Sequence, residues 1–361
     1  MRFSLDVAHQ SWTRASDPVD VARRTIDVAR KADAAGVDLI TVSEDPDGWD
    51  AFGVLGAIAV STRRATLGPS VTSPYPRAPN LIAASVATLD RLSGGRAMLG
   101  LGRGQPEWYE RASGTTVGSP LAALAETIGL LRQWWSPDHV ASSRPGDQFR
   151  VRDWERSIHP VREAPPIYLA AAGPRAIALA GRLADGVIFN NLTSDDALIE
   201  LIGDTRVAAT AAGRDPGSLA FMLRTHVMVL DDPAPWLERQ KHALAIINTL
   251  PGMDRLVRTA GFDVAAIIHD LRRVMRTGDA LNDAGGFAAL RRYADFAAAR
   301  AIIPTGLMER LAIAGPLALV RGRLRRLAEI GVTHVSLPPP ETLYALSEVE
   351  IAGLLADMRA V

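Results

Sequence analysis

Residues that could do chemistry cluster in short segments, each placed where an apolar run of the sequence ends. The densest is residues 43–50 (SEDPDGWD), with four carboxylates and a tryptophan in eight positions. We interpret Glu44 as a cofactor contact, Asp45 as a proton-handling carboxylate and Trp49 as an aromatic pocket wall. His9 follows the first apolar run and is the histidine best placed to join them. A solvated acidic loop remains the alternative for this segment.

Two further segments carry small residues where bulky ones would be expected. Residues 68–77 (GPSVTSPYPR) are stiffened by three prolines, and residues 100–104 (GLGRG) have glycine at alternate positions. Small residues let the backbone approach a flat ring closely. The spacing G-x-G-x-G differs from the dinucleotide fingerprint G-x-G-x-x-G, which disfavours a Rossmann site. The candidate cofactor contacts here are Ser70, Val71, Thr72, Gly102, Arg103 and Gly104.

A third segment, residues 171–176 (AAGPRA), has the pattern of a helix start. Proline fits the first helical position, and the free N–H groups and positive dipole of a helix N-terminus suit a phosphate. An ordinary capped helix is the alternative. The candidate phosphate contacts are Ala171, Ala172, Gly173, Pro174 and Arg175. Asn190, at the end of a later apolar run, is a further cofactor-binding candidate.

Composition excludes several classes of function. The chain has no cysteine, and its seven histidines show neither metal-ligand spacing nor an HExxH motif, so no metal site is expected. No G-x-S-x-G elbow is present, which disfavours a serine hydrolase. Forty basic and forty acidic residues give a formal net charge of zero, so neither nucleic acid nor an anionic membrane is an expected partner. Without a signal peptide or a long apolar run, we expect a cytoplasmic protein.

The elements that must position these residues alternate between strand and helix. Eight apolar runs predict strands: Phe3–Ala8, Asp38–Val42, Ala65–Val71, Arg96–Leu101, Ile167–Ala171, Gly186–Asn190, Leu219–Leu230 and Thr333–Leu337. Helical spacing separates them, as in Pro18–Ala35 with Asp17 as N-cap and Gly36 as stop. Eight such units predict an α/β fold, a (β/α)₈ TIM barrel, with functional groups at the carboxyl ends of the strands.

Two insertions interrupt the predicted alternation within one domain spanning residues 1–361. The first, at about 136–164, is polar and proline-rich, and the second, at about 251–304, is an extra helical block. If both follow strands, both lie at the catalytic rim and shape the substrate pocket.

Taken together, three stretches of the chain resemble the bacterial-luciferase-like superfamily. They are Ala65–Arg77 (ATLGPSVTSPYPR), Ala84–Gly104 (ASVATLDRLSGGRAMLGLGRG) and Pro160–Val187 (PVREAPPIYLAAAGPRAIALAGRLADGV). The resemblance is greater to the branch that uses the deazaflavin coenzyme F420, typified by methylenetetrahydromethanopterin reductase and F420-dependent glucose-6-phosphate dehydrogenase.

The resemblance implies a hydride transfer between F420 and a small organic substrate, with the enzyme acting as an F420H2-dependent reductase. It also implies a non-prolyl cis peptide at Ser70–Val71 backing the ring, phosphate contacts at Ala172, Gly173 and Pro174, and Glu44 near the deazaflavin. A homodimer and a separate cofactor-reducing enzyme are implied as well. The alternatives are an FMN-dependent luciferase-like monooxygenase and a barrel that binds a ligand without redox chemistry.

The sequence departs from the sugar-phosphate branch at three places. Asp45 stands where that branch has a catalytic histidine, while Trp49 is kept. Arg103 stands where it has an acidic residue, and we interpret this arginine as a contact to an anionic group. The opening of the last barrel helix is also changed, at Gly315–Leu317 (GPL). Sugar-phosphate oxidation is therefore not expected.

Overall fold

The fold is an α/β barrel, seen in a computed structural model that describes residues 1–9, 12, 16–46, 48–114, 116, 118–247, 252–282, 290 and 292–360. Its strands are β1 (Arg2–Val7), β2 (Leu39–Val42), β3 (Thr66–Pro69), β4 (Leu99–Leu101), β5 (Val140–Ala141), β6 (Trp154–Glu155), β7 (Ile167–Ala170), β8 (Gly186–Phe189), β9 (Ala220–Val229), β10 (Ile313–Gly315) and β11 (His334–Ser336).

Among the described residues, eight parallel strands follow one another around the barrel in the order β3-β2-β1-β11-β9-β8-β7-β4. Single parallel bridges, Leu67 to Ala97 and Thr72 to Leu101, join β3 to β4. These eight strands are the predicted ones, so the barrel prediction is confirmed. Two features were not predicted: β10 pairs with the far end of β9, and β5 and β6 form a small antiparallel hairpin.

Helices cover the outside of the barrel and fill one long connection. They are α1 (Pro18–Ala35), α2 (Ala51–Ser61), α3 (Pro79–Ser93), α4 (Pro106–Ser113), α5 (Pro120–Trp134), α6 (Pro174–Leu183), α7 (Asp195–Ala211), α8 (Ala234–Ile247), α9 (Val264–Val274), α10 (Thr277–Asn282), α11 (Phe296–Ile302), α12 (Thr305–Leu311), α13 (Leu317–Ile330), α14 (Pro340–Leu343) and α15 (Glu348–Arg359).

Helix α1 shows why local sequence defines these elements so well. The Asp17 side chain accepts hydrogen bonds from the N–H groups of Val19 and Asp20, and Pro18 occupies the first helical turn. At the other end Gly36 has φ +94°, a left-handed conformation that ends the helix at little cost for glycine. Both ends lie where the sequence predicts them.

The barrel interior contains a small apolar cluster, separate from the large core between strands and helices. Its buried members are Leu39, Met98, Ile188 and Met222. Val71 and Ala170 pack against this cluster but are only partly buried. They come from the carboxyl ends of β3 and β7, so they form an apolar floor beneath the catalytic rim.

The first predicted insertion does not follow a strand, as the expectation assumed, yet it reaches the rim. Residues 136–164 lie between helix α5 and β7. Their last part lies at the amino end, where the Asp90 carboxylate near the end of α3 accepts hydrogen bonds from the N–H groups of Val161 and Arg162 at 2.9 and 3.1 Å. In the middle of the insertion, Phe149 packs against the buried Tyr75 and Tyr109 at the carboxyl end.

The second insertion follows β9 and lies at the carboxyl end. Its helices α9 and α11 share a hydrophobic cluster with the flanking helices α8 and α12, with members such as Leu244, Leu271 and Leu307. The predicted boundary Pro251 lies outside the described residues. Nowhere in the described part of the chain is a helix both long and apolar enough to span a bilayer.

Candidate active site

The loop after β2 brings together the three residues predicted to be catalytic. His9 Nδ1 lies 3.1 Å from Asp45 Oδ2, at ion-pair distance but without good hydrogen-bond angles. Trp49 stands edge-on to the His9 ring, with centroids 6.4 Å apart, and its Nε1 donates to the Ser43 carbonyl oxygen at 2.7 Å. His9 is buried, whereas the Asp45 side chain keeps 27% of its surface exposed. The arrangement presents one accessible carboxylate beside a histidine and an aromatic wall.

A buried ion pair ties the β2 loop to the β3 exit. Glu44 accepts a hydrogen bond from Thr72 Oγ1 at 2.5 Å, and Arg77 Nε donates to both of its carboxylate oxygens at 2.9 and 3.1 Å. Arg77 also pairs with Asp50 and lies over the Phe52 ring at 4.9 Å. The side chain of Glu44, predicted to contact the cofactor, therefore fixes the position of Thr72. Asp47, the remaining carboxylate of this loop, lies outside the described residues.

The exit of β3 has the backbone geometry that the resemblance implied. The Ser70–Val71 peptide bond is cis, between the end of β3 and the bridge from Thr72 to Leu101. Glycines on β4 make room for it. A Cβ added at Gly100 would lie 2.3 Å from the Pro69 carbonyl oxygen, and one at Gly102 would lie 2.5 Å from Val71 Cγ2. Both positions therefore require glycine for close strand packing.

Replacing Gly102 by Ala is expected to lower the free energy of unfolding by about 1–3 kcal/mol, the usual cost of forcing an extra methyl into a packed site. Urea denaturation measures the change. Adding Val71→Ala should restore much of the loss, because the other neighbour, Ala170 Cβ, lies at an ordinary 3.5 Å. Gly129→Ala is the control, since a Cβ there meets nothing within 4 Å. A Gly102→Ala variant as stable as the wild type would contradict the packing argument.

A pair of tyrosines completes the β4 side of the rim. The rings of Tyr75 and Tyr109 lie 5.6 Å apart, and the Tyr109 ring fills the space beside Gly104 that a side chain would occupy. Burial raises the pKa of Tyr75 to about 12, against the opposing effect of the nearby Arg103 guanidinium. Burial, then the Asp45 and Glu44 carboxylates, raise the pKa of Tyr109 further. Both hydroxyls are therefore neutral hydrogen-bond donors at physiological pH.

Tyr109 and Arg77 are site residues that the sequence argument missed. The available signal for Tyr109 was Pro106 followed by aromatic residues and then Gly114, which is the pattern of the short helix α4. No such signal exists for Arg77, because its partner Glu44 is 33 residues away in the chain.

The predicted phosphate contacts lie at the start of α6. Gly173 is the N-cap with no side-chain hydrogen bond to the first turn, and a Cβ there would meet nothing within 4 Å. Ala171 is buried, Ala172 is half-buried, and Pro174 and Arg175 are exposed. Asn190 instead uses its side chain locally, with Oδ1 accepting from Asn191 N at 2.9 Å. The open first turn of α6 is free to receive an anionic group.

A sequence profile of the luciferase-like monooxygenase family matches residues 1–334. The chain belongs to this family. Within it, the 5,10-methylenetetrahydromethanopterin reductase of Methanolobus tindarius is 26% identical over 323 residues, covering 90% of this chain and 92% of that protein. The F420-dependent glucose-6-phosphate dehydrogenase of Mycolicibacterium fortuitum is 31% identical over 252 residues, covering 63% and 71%.

One solved structure has the same fold over almost the whole chain. The coenzyme F420-dependent tetrahydromethanopterin reductase from Methanopyrus kandleri superposes with a TM-score of 0.73 at 22% identity, covering 98% of this chain and 97% of that one. At this identity the match establishes a shared barrel, and the rim residues must be judged by their own chemistry.

Proposed function

We propose that this luciferase-like protein is an F420-dependent oxidoreductase that moves a hydride between the deazaflavin and a small organic substrate, acting as an F420H2-dependent reductase. The observation that carries the proposal is the similarity to the F420-dependent dehydrogenase of Mycolicibacterium fortuitum, which spans 71% of that protein. The near full-length match to the Methanolobus tindarius reductase supports the reductive direction.

The residues at the rim fit such a cofactor. Val71 and Ala170 give a half-buried apolar floor on which a ring can lie, and the absence of a side chain at Gly102 lets Val71 pack closely against the strand. Among the described residues, the hydroxyls of Ser43 and Ser70 are buried without hydrogen-bond partners at the ends of β2 and β3. Unpartnered buried hydroxyls are costly unless a ligand or water supplies a partner.

Two segments of the rim would hold the two ends of F420. The backbone from Ser70 to Thr72 would support the ring, and the first turn of α6, from Ala172 to Pro174, would bind the phosphate of the side chain. Arg103 and Arg175 supply positive charge near that path, and neither has a carboxylate partner in the described part of the chain. When bound, the deazaflavin supplies hydride chemistry at its C5 atom.

Asp45 is the residue proposed to handle the proton that accompanies the hydride. Its Oδ2 lies 3.1 Å from His9 Nδ1, which places an imidazole beside the carboxylate as a second group able to carry a proton. Trp49 and the nearby Trp12, whose rings are 4.6 Å apart, wall this side of the pocket against water. The neutral Tyr109 hydroxyl is a hydrogen-bond donor near the same carboxylate, since the charge of Asp45 contributes to its raised pKa.

Binding of cofactors to the purified protein tests the proposal directly. F420 and FMN, each oxidised and reduced, are titrated while cofactor fluorescence or absorbance is followed. We expect F420 to bind, and FMN to bind weakly or not at all. Tight FMN binding with oxygen consumption, and no F420 binding, would replace the proposal with an FMN-dependent monooxygenase.

Three finer properties belong to the same proposal: a homodimer, a cytoplasmic location and a separate enzyme that reduces the cofactor. The sequence resemblance supports the homodimer and the separate enzyme. Light scattering coupled to size-exclusion chromatography measures the first, with twice the 38.6 kDa chain mass as the expected result.

A further inference from the structure

A second feature of the rim lies across the barrel from the β3–β4 edge. It is an open cavity of about 640 Å³, lined by residues at or just after the ends of β1, β8, β9 and β11 and by helix α8. In the strand order, β9 and β11 stand opposite β3 and β4. The cavity, here called the β9 cavity, is thus separate from the proposed ring floor and faces it. Its polar lining includes Asp6, Asn191, His226 and Gln240.

A bulge in β9 aims His226 at this cavity. Along β9 the pairing with β11 jumps from Leu223 opposite Val335 to His226 opposite Ser336, so two residues of β9 have no counterpart. Such bulges bend a strand and redirect its side chains. His226 is deep in the molecule, yet it keeps accessible surface, which lies in the cavity it lines. The bulge therefore places an imidazole at the cavity wall.

The tautomer of His226 follows from its one hydrogen bond. Its Nδ1 lies 2.6 Å from the Leu337 carbonyl oxygen, which can only accept, so Nδ1 carries the hydrogen. Nε2 of the neutral ring then has a lone pair. Burial lowers the pKa of His226 and outweighs the opposing effects of Asp6 and Glu341. Arg224 adds to the lowering. At physiological pH the ring presents an acceptor.

Asn191 provides a second hydrogen-bond acceptor in the cavity. Asn191 Nδ2 donates to Gln240 Oε1 at 3.3 Å, which leaves Asn191 Oδ1 buried without a partner among the described residues. Both asparagine and glutamine line the cavity. Beside them Trp236 supplies an apolar wall, with its ring 6.3 Å from that of His226. A ligand group that satisfies these two acceptors must donate hydrogen bonds, and Trp236 gives it apolar surface to lie against, while the charged side chains of Glu238, Arg239, Arg300 and Glu341 line the rest of the cavity.

We propose that the β9 cavity is the substrate site and that it binds a hydroxyl-bearing organic molecule, with His226 Nε2 as acceptor of the hydroxyl hydrogen and Asn191 Oδ1 as second acceptor. The assignment of this ligand as the substrate rests on the proposed function. The binding chemistry does not, because it uses only residues of this chain. A cavity of this size suits a molecule of ordinary metabolite dimensions.

Two probes that differ only in the donor test the proposal: 2-naphthol and its methyl ether, 2-methoxynaphthalene. Calorimetry with the cofactor-free protein at neutral pH should show the naphthol binding roughly 5–10-fold more tightly, the worth of one hydrogen bond. His226→Asn keeps a donor for the Leu337 carbonyl oxygen, but its shorter side chain has no acceptor at the Nε2 position. The affinity difference between the two probes should therefore vanish. His226→Gln retains an acceptor near the Nε2 position and should restore part of it. Equal binding of both probes to the wild type overturns the proposal.

Nitrogen NMR of the imidazole checks the tautomer independently. The ¹⁵N shifts should show hydrogen on Nδ1 and a lone pair on Nε2, with a titration midpoint below the usual value of about 6.5. Naphthol should shift the Nε2 signal. Hydrogen on Nε2, or no response to naphthol, overturns the proposal. His269→Asn, an exposed site on α9, is the control and should change nothing. Failure of F420 to bind would contradict the proposed function but would not affect the probe-binding and NMR results, which use the cofactor-free protein.

Discussion

Replacing Asp45 by Asn is expected to lower the turnover number about 100-fold while leaving F420 binding within twofold of the wild type. A positioned acid or base contributes roughly 10²–10⁴-fold to the rate of proton transfer, and asparagine keeps the shape of aspartate without its proton chemistry. The contact between the carboxylate and His9 Nδ1 would be changed as well. Oxidation of reduced F420 by 2-cyclohexenone, a generic electron-poor alkene, provides the assay.

A matched substitution in the same loop separates catalysis from structure. Asp50 is 65% exposed, caps helix α2 through its side chain and pairs with Arg77. Asp50→Asn can still cap the helix, so its turnover should stay close to that of the wild type. If Asp45→Asn turns over normally, or if Asp50→Asn loses as much activity, Asp45 is not the proton-handling residue.

The barrel itself could be predicted because its signals are local. Each strand is a short apolar run, and the helix caps such as Asp17 and Gly36 are read within a few residues of the boundary. Eight strand–helix units in a row favour a closed barrel over an open sheet. The loops at the strand ends then had to carry the functional groups, which is why His9, Asp45 and Trp49 were found together.

The features that could not be predicted from the sequence depend on contacts between distant parts of the chain. Strand β10 forms because the far end of β9 needs a partner after β11 has left it, and three residues give too little pattern to reveal this. The β9 cavity arises from a bulge, whose position depends on the register between two strands 111 residues apart, as the contact from His226 to Leu337 shows.

The rim thus divides into two halves with different chemistry. The β2–β4 half has glycines, a half-buried apolar floor and a carboxylate beside a histidine. The β9 half presents acceptors, His226 and Asn191, around an apolar wall. Between them Asp6 on β1 contacts both halves, since Thr41 of β2 and Arg224 of β9 are its neighbours. Its charge is therefore central to the stability of the rim.

Asp6→Asn is expected to lower the free energy of unfolding by about 3 kcal/mol near neutral pH. The buried carboxylate accepts hydrogen bonds from Thr41 Oγ1 at 2.8 Å and Ser336 Oγ at 2.5 Å, and Arg224 Nε lies 3.7 Å away. Removing one partner of a buried pair costs about 3–5 kcal/mol, and the lower end applies because Arg224 keeps 28% of its surface exposed. Urea denaturation measures the loss. Asp27→Asn, in an exposed ion pair, should cost under about 1 kcal/mol.

The effect of Asp6 should also depend on pH, in a direction set by its pKa. Burial alone would raise this pKa, but the Arg224 guanidinium and the hydrogen bonds from Ser336 and Thr41 outweigh it, so the folded-state pKa lies below the usual value of 3.8. A carboxyl with a depressed folded pKa stabilises the protein above its unfolded pKa, and that stability disappears as pH falls through the folded value. The difference between wild type and Asp6→Asn should therefore be constant above about pH 5 and shrink below pH 4. A difference that grows on acidification would show that Asp6 is protonated in the folded protein, and the charge argument would fail.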